Sequence, residues 1–419
     1  MARADTALVT AQVWCAMSAA TAVFTSIAAN YLPKARVLAR SVKHVAPDAQ
    51  FFLMLVDFAP EGFNLDAEPF DALITIDELG LENPISWAFT HTVVELCTAV
   101  KGRAASHLLG QSGVDRVFYF DPDMVVFDRF SELEQALAEV SILLTPHQSE
   151  PEQSYEAVMD NEMASLKHGV FNMGFVGIAD TAEGRRFASW WAARLTDFCL
   201  DDISRGLFTD QKWANLIPCF FDDYRVLRSP AFNVATWNIT TRQVEGSLED
   251  GITVNGEALG FYHFSGFDSG DQALMLNKYG ANSPTLQALR AWYIDACAQN
   301  GEQAGGGPPY GYARYKDGAA IQPGERRLYR VRIDLQRAFP DPFSEDPKGG
   351  FSHWYRVNVG HDAPEASGLR LSDDMPTSEA LHTFGGWIQR RALMHGHSLK
   401  RWVLMSVARL LKLLSRGAS

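Results

Sequence analysis

Through roughly the first three hundred residues, short apolar runs alternate with amphipathic stretches. The runs 22–28 (AVFTSIA), 51–56 (FFLMLV), 72–76 (ALITI), 116–120 (RVFYF) and 140–144 (VSILL) read as strands. Helical spacing predicts helices over 34–45 and 87–109, with Gly102 as a break in the second. Further on, the pattern predicts strands over 170–178 and 259–264, with helices over 182–199, 210–217 and 285–298. Strand–helix alternation implies an α/β fold whose parallel sheet is wrapped by helices, with a ligand crevice at the carboxyl ends of the strands.

After residue 301 the texture changes. Residues 301–324 contain GGGPPYGY and few apolar anchors, which reads as a linker, and 325–387 carry scattered aromatics without a clear period. That stretch is expected to be a small appended β-rich region or an extension packed on the main body. Residues 1–20 read as a leader before the first strand. The tail, 388–419, holds Arg390, Arg391, Lys400, Arg401, Arg409, Lys412 and Arg416 and no acidic residue. Leu399, Trp402, Val403, Val407, Leu410, Leu411 and Leu414 fall at helical spacing within it. A basic amphipathic helix of this kind is suited to peripheral contact with an anionic membrane through 398–419, and the same leucines could instead dock on the protein's own core.

Charge sharpens this division. The net charge of the 419-residue chain is −13, so a +7 tail leaves −20 on the rest, a poor match for nucleic-acid phosphate. Five widely spaced cysteines without a CxxC pair argue against a disulfide framework or structural zinc. No run approaches the ~20 apolar residues of a membrane-spanning helix. These features point to a cytoplasmic protein, peripheral at most on the inner face of the cytoplasmic membrane.

Four short motifs carry chemistry. In RVFYF-DPD-MVVF an apolar strand ends on Asp121, Pro122 and Asp123. Two carboxylates one residue apart at a strand end can reach one hard divalent cation, Mn²⁺ or Mg²⁺, which would neutralise a diphosphate. The alternative is an Asp pair capping a turn. In FYHFSGFD, His263 lies in an apolar strand, either as a hydrogen-bonded core residue or as a third, imidazole ligand, and Gly266 lets backbone approach an anion. GVFNMGFVGI puts Asn172 in a strand with a missing side chain at Gly174. Thr209-Asp210-Gln211 opens a helix, where Thr209 or Asp210 would also serve as an N-cap.

In this order, DPD, FNMG, DQ and HFSG resemble the GT-A nucleotide-sugar glycosyltransferases, and most closely glycosyltransferase family 8, over roughly residues 20–300. FTSIAANYLPKARVLARSV looks like that family's first strand, nucleotide-binding turn and first helix, and VELCTAVKGRAASHLL like the helix before its D-x-D strand. The resemblance implies a mixed, mostly parallel GT-A sheet over 21–300. It implies Asp121, Asp123 and His263 as metal ligands. Thr25, Ala28, Asn30 and Tyr31 would line the nucleoside pocket, with Asp57 near it and Lys101 facing the donor diphosphate or sugar. Asn172, Asp210 and Gln211 would surround the donor sugar, and Gly266 would admit the β-phosphate. Family 8 typically continues HF-x-G with Lys-Pro-Trp; here HFSGFDSGDQ puts Asp268 in that loop instead.

The resemblance implies metal-dependent transfer of a sugar, with retention, from a nucleotide diphosphate donor, UDP-linked in the family's manner, to a saccharide or lipid-linked acceptor. Front-face attack is the preferred route, with Gln211 as an electrostatic stabiliser. A haloacid dehalogenase-like phosphatase needs its D-x-D on the first strand, followed closely by Gly or Thr. This motif sits on about the fourth strand and is followed by Met124 and Val125. A non-catalytic nucleotide-sugar or glycan-binding protein is the other reading. Segments 145–168, Phe232 with Trp237 and Asn238, and the region after Gly301 are the candidate acceptor elements.

Overall fold

The computed structural model describes residues 20–301, 308–344, 346, 349–359, 377–393 and 399–417. The leader expected over 1–20 lies almost wholly outside them.

The strands follow the apolar runs closely: β1 (Ala20–Ile27), β2 (Gln50–Leu55), β3 (Ala72–Thr75), β4 (Val114–Phe120), β5 (Met124–Val126), β6 (Ile142–Pro146) and β7 (Phe171–Ala179). A hairpin of β8 (Leu200–Asp202) and β9 (Leu207–Thr209) follows, then β10 (Tyr224–Val226). The main sheet has seven strands in the order β10-β6-β7-β4-β1-β2-β3. β4, β1, β2 and β3 run parallel, as do β10 and β6, while β7 is antiparallel to both of its neighbours. The sheet is therefore mixed and mostly parallel.

Its central strands are apolar at most positions because both faces are covered. Ala22 and Phe24 of β1, Phe52 and Met54 of β2, and Val117 and Tyr119 of β4 enter one core. Val23, Phe51, Leu53, Phe118 and Phe120 enter the other. The period of two thus sorts each strand's side chains between two helical layers. Helix Leu32–Val45 packs in the second layer, and Lys101–Leu109 and Ala182–Phe198 in the first.

Gly102 does not break a helix. The predicted 87–109 helix is three helices, Pro84–Phe89, Val93–Ala99 and Lys101–Leu109, interrupted at 90–92 and at Val100. Thr92 caps the second with Glu95 reaching back, which is what restarts the chain there. Gly102 lies within the third helix because helix Ala182–Phe198 crosses it. A Cβ there would sit 2.5 Å from the Ala192 amide nitrogen.

Beyond β10, β11 (Val244–Ser247), β12 (Gly251–Val254) and β13 (Glu257–Ala258) form a small antiparallel sheet, and β14 (Phe261–His263) pairs antiparallel with β5. The region after residue 301 is helical and packed, not β-rich, where it is described. It contains helices Pro323–Val331, Ile333–Ala338 and Phe351–Asn358, and four of its aromatics, Tyr315, Tyr329, Phe343 and Phe351, lie within 6.0 Å of the Phe89 ring, centroid to centroid. The described part of the expected linker joins that packing, since Tyr312 and Tyr315 are buried. Helices Thr377–Leu393 and Leu399–Gly417 follow. Among the described residues no helix is long and apolar enough to cross a membrane, and no cysteine is in a disulfide.

Candidate active site at the carboxyl ends of the strands

The site forms where β4 ends. Phe120 is the last strand residue, Asp121 and Asp123 stand in the turn that follows, and β5 begins at Met124. The turn is closed by the Met124 amide donating to the Asp121 carbonyl at 3.0 Å. Pairing of β14 with β5 places His263 opposite Met124, so the imidazole meets the carboxylates by register. His263 Nε2 lies 3.1 Å from Asp123 Oδ1 and 3.9 Å from Asp121 Oδ2.

One donor atom from each of Asp121, Asp123 and His263 falls within 4.8 Å of the others. Two carboxylate oxygens and one imidazole nitrogen make a donor set that suits Mn²⁺ or Mg²⁺. His263 is buried with its Nε2 against the two carboxylates, and its Nδ1 has no hydrogen-bond partner among the described residues. Burial works against its charge, and Asp123 more than offsets this, raising the imidazole above its usual range. Burial likewise pushes Asp123 up, but His263 and, more weakly, Lys34 hold its carboxyl below the ordinary value.

Lys101 is the buried counter-charge beneath the turn. Its side chain is 2% exposed, and its Nζ lies 3.1 Å from Asp121 Oδ1 and 3.0 Å from Asp210 Oδ2. It also donates to the Met173 carbonyl at 3.1 Å and sits 4.2 Å from the Tyr119 ring centroid. Tyr119 donates its hydroxyl to Asp121 Oδ1 at 2.6 Å. Asp121 is thereby oriented by two groups below it, and about a quarter of its side chain remains exposed above. Asp210 stands at the start of helix Gln211–Ala214 without capping it, because its carboxylate turns to Lys101. Burial raises the Asp210 carboxyl, and Lys101 pulls against that rise. Thr209 beside it adopts φ +43°, an unusual angle for a β-branched residue.

Asn172 and Gln211 form one hydrogen-bonded unit. The Gly174 amide donates to Asn172 Oδ1 at 3.2 Å, which fixes the amide with its NH₂ toward His147 Nε2 at 3.1 Å and Gln211 Oε1 at 3.4 Å. Gln211 in turn donates to the His168 carbonyl at 3.2 Å. Gly174 is required by space: a Cβ there would lie 2.7 Å from Asn172 Oδ1 and 2.8 Å from Asp121 Oδ2. Burial pushes His147 down to about 4, so it is neutral at pH 7. Trp237 stands between the two histidines, with ring centroids 5.4 Å from His147 and 5.2 Å from His263. His147 and Tyr119 were not singled out from the sequence, although PHQ directly after a strand was the available signal.

The remaining predicted residues lie at the ends of β1 and β2. Thr25 is fully buried in β1, and neither its Oγ1 nor the buried Asn30 Oδ1 has a partner among the described residues. Ala28 is buried at the strand's end. Asp57 bridges two loops: Oδ1 accepts from the Ala29 amide at 2.8 Å and Oδ2 from the Gly311 amide at 2.9 Å. Burial raises its carboxyl against those two bonds. Tyr31 donates to Asp268, which also pairs with Lys34. The cation that the Asp268 loop lacks in its own sequence thus comes from helix Leu32–Val45. Gly266 takes φ +74°, a left-handed turn in that loop. Beyond Asp57, a cavity of about 530 Å³ is lined chiefly by Phe58, Ile85, Tyr312, Tyr315 and Phe343.

No family model matches the chain. The uncharacterized proteins YfnD and YfnF of Bacillus subtilis (strain 168) are similar to it. YfnD is 28% identical over 179 residues, 42% of this chain and 55% of YfnD, so the chain spans about half of that relative. YfnF is 25% identical over 249 residues, 58% of this chain and 80% of YfnF. Among solved structures, galactosyltransferase LgtC in complex with donor and acceptor sugar analogs is 13% identical at a TM-score of 0.40, covering 68% of this chain and 98% of LgtC. Glycosyltransferase GlyE of Streptococcus pneumoniae TIGR4 is 16% identical at 0.38, covering 67% and 64%. Mouse xyloside xylosyltransferase 1 is 14% identical at 0.33, covering 59% and 97%. At these scores, what this chain can do chemically rests on its own side chains. The three solved proteins are themselves glycosyltransferases.

Proposed function

We propose that the chain is a glycosyltransferase that moves a sugar, with retention, from a UDP-linked donor to a saccharide or lipid-linked acceptor. The observation that carries this reading is the convergence of Asp121, Asp123 and His263 within 4.8 Å, beside Asp210, Gln211 and Asn172. A divalent cation held by the triad would balance the negative charge of a departing diphosphate. Lys101 and Tyr119 hold Asp121 in place for that role. Gln211 Oε1 and the Asp210 carboxylate supply negative potential for positive charge developing on the sugar. In the front-face route the acceptor hydroxyl gives its proton to the leaving phosphate oxygen, so no side chain is required as base. The aromatic cavity beyond Asp57, lined in part by the region after Gly301, supports acceptor binding there, since the exposed Phe58 ring suits the apolar face of a sugar.

The test is UDP release from a panel of UDP-sugars, with Mn²⁺ or EDTA, for the natural chain and Asp123→Ala, in parallel with donor binding. Turnover of one donor that requires metal and is lost in the variant is the expected result. Metal-dependent binding with no turnover, acceptor extracts included, would select a non-catalytic nucleotide-sugar-binding protein. That second reading is favoured by Asp268, which already occupies Tyr31 and Lys34. Neither binding nor turnover with any UDP-sugar would sink the UDP assignment.

A further inference from the structure

Helix Leu399–Gly417 leaves most of its large apolar side chains uncovered, unlike an ordinary surface helix. A soluble amphipathic helix turns its apolar stripe inward. Here a second apolar stripe is left outside, while Ala408, 1% exposed, faces inward with Leu404, Met405 and Leu411 half-buried beside it. It meets helix Thr377–Leu393 at Gly385, where a Cβ would stand 3.2 Å from the Ala408 carbonyl and 3.3 Å from Leu411 Cβ. Lys412 donates to Gln389 Oε1 on the same side at 2.6 Å. The supporting helix is tied to the body through buried Ile388, Ala392 and Leu393, with Arg332 donating to the Leu393 carbonyl at 2.8 Å.

The outward face is apolar as well. Leu399, Trp402, Val403, Val407, Leu410, Leu413 and Leu414 are 40–78% exposed and recur at helical spacing. They form one stripe about 22 Å long. Single exposed apolar residues need no explanation, but seven in one stripe mark a contact surface. Lys400 and Arg409 are exposed at its edges. From 388 to 419 there are seven basic residues and no acidic one, on a chain of net charge −13.

We propose that this face lies in the headgroup layer of an anionic membrane, with the stripe among the upper acyl chains and the flanking cations at the phosphates. Charge decides among occupants. The protein's own core is already taken up by the inward packing of Ala408, and a neutral apolar partner would leave Lys400 and Arg409, exposed along the stripe's edges, without a role. Trp402 within the stripe fits the boundary between water and hydrocarbon. This inference stands apart from the sugar-transfer reading.

The experiment is co-sedimentation of the full chain with vesicles of phosphatidylglycerol and phosphatidylcholine in equal parts, and with vesicles of phosphatidylcholine alone. Light scattering of the free protein runs alongside. Binding to the anionic vesicles, weakened by salt, is expected. The exposed-face variant Trp402→Glu/Leu410→Glu should lose at least about tenfold in partition. Lys400→Gln and Arg409→Gln should each lose roughly fivefold on anionic vesicles only. These residues are exposed, and an unchanged thermal midpoint verifies the fold. Equal binding to both vesicles, no binding to either, or binding indifferent to the variants would overturn the proposal. So would a dimer that the double variant dissociates, which would assign the stripe to a second copy.

Discussion

Two buried clusters of charge differ in what they leave open. Around Lys101, three acidic groups and a histidine gather at a strand end, and Asp121 and Asp123 keep 26% and 19% of their side chains exposed. Around Arg330, Glu95 and His91 are sealed: Arg330 lies 2.7 Å from Glu95, and the neighbouring Arg326 donates to the Phe89 and His91 carbonyls at 2.9 and 2.8 Å. The second cluster joins the segment after residue 322 to the main body. Buried charge is therefore no signature of a reactive site by itself. What separates them is whether ligand atoms still face outward once the protein's own bonds are made.

Removing each central cation should separate the two roles most strongly. Arg330→Met and Lys101→Met each leave buried carboxylates without their partner, a loss of roughly 3–5 kcal/mol by denaturant unfolding. Only Lys101→Met should abolish UDP release per folded molecule; equal activity losses in both would erase the distinction. Next in size, Gly174→Ala should cut turnover about a hundredfold by displacing Asp121 and Asn172, while costing stability only ~1–3 kcal/mol. An active Gly174→Ala enzyme would mean that the carboxylate turn is less constrained than its contacts imply.

A smaller effect comes from acid. Burial pushes His91 down to about 4, whereas an unfolded chain titrates it near 6.5. Between those values the unfolded state binds a proton that the folded state refuses, so stability falls as pH falls, by up to roughly 2 kcal/mol at pH 4.5. Arg330 holds the Glu95 carboxyl below its ordinary value despite burial, and this acts in the same direction. Thermal midpoints from pH 7 to 4.5 should show the slope, and His91→Gln should flatten it. Smallest of all is Lys278→Ala. Its pair with Asp160, 2.6 Å long and open to solvent, should leave the midpoint unchanged.

How much of this could be read along the chain depended on distance. The β4 strand, its DPD turn and His263 were legible because an apolar run ending in carboxylates, and a lone histidine in an apolar strand, are local patterns. The α/β class followed from the same alternation. Asp210 was ambiguous, since an acidic residue before a helix looks like a cap; only Lys101, over a hundred residues upstream, turns it away. Gly102 was misread for a related reason. A glycine that ends a helix and one that admits a crossing helix are the same letter, and Ala192 is what tells them apart. The Glu95–Arg330 seam had no sequence signal at all, because both residues sit on unremarkable helical faces.

The Asp57 bridge bears on modularity. One carboxylate ties the loop after β1, at Ala29, to Gly311 in the segment that follows the sheet. Phe89 is caged by rings from that same segment. Grafting a foreign C-terminal portion onto this sheet, to retarget it, would therefore strip an anchor from the loop after β1 and open a core. Any such chimera has to carry Gly311 and the aromatic cage across with the sheet, so the two parts are inherited, and must be engineered, as one piece.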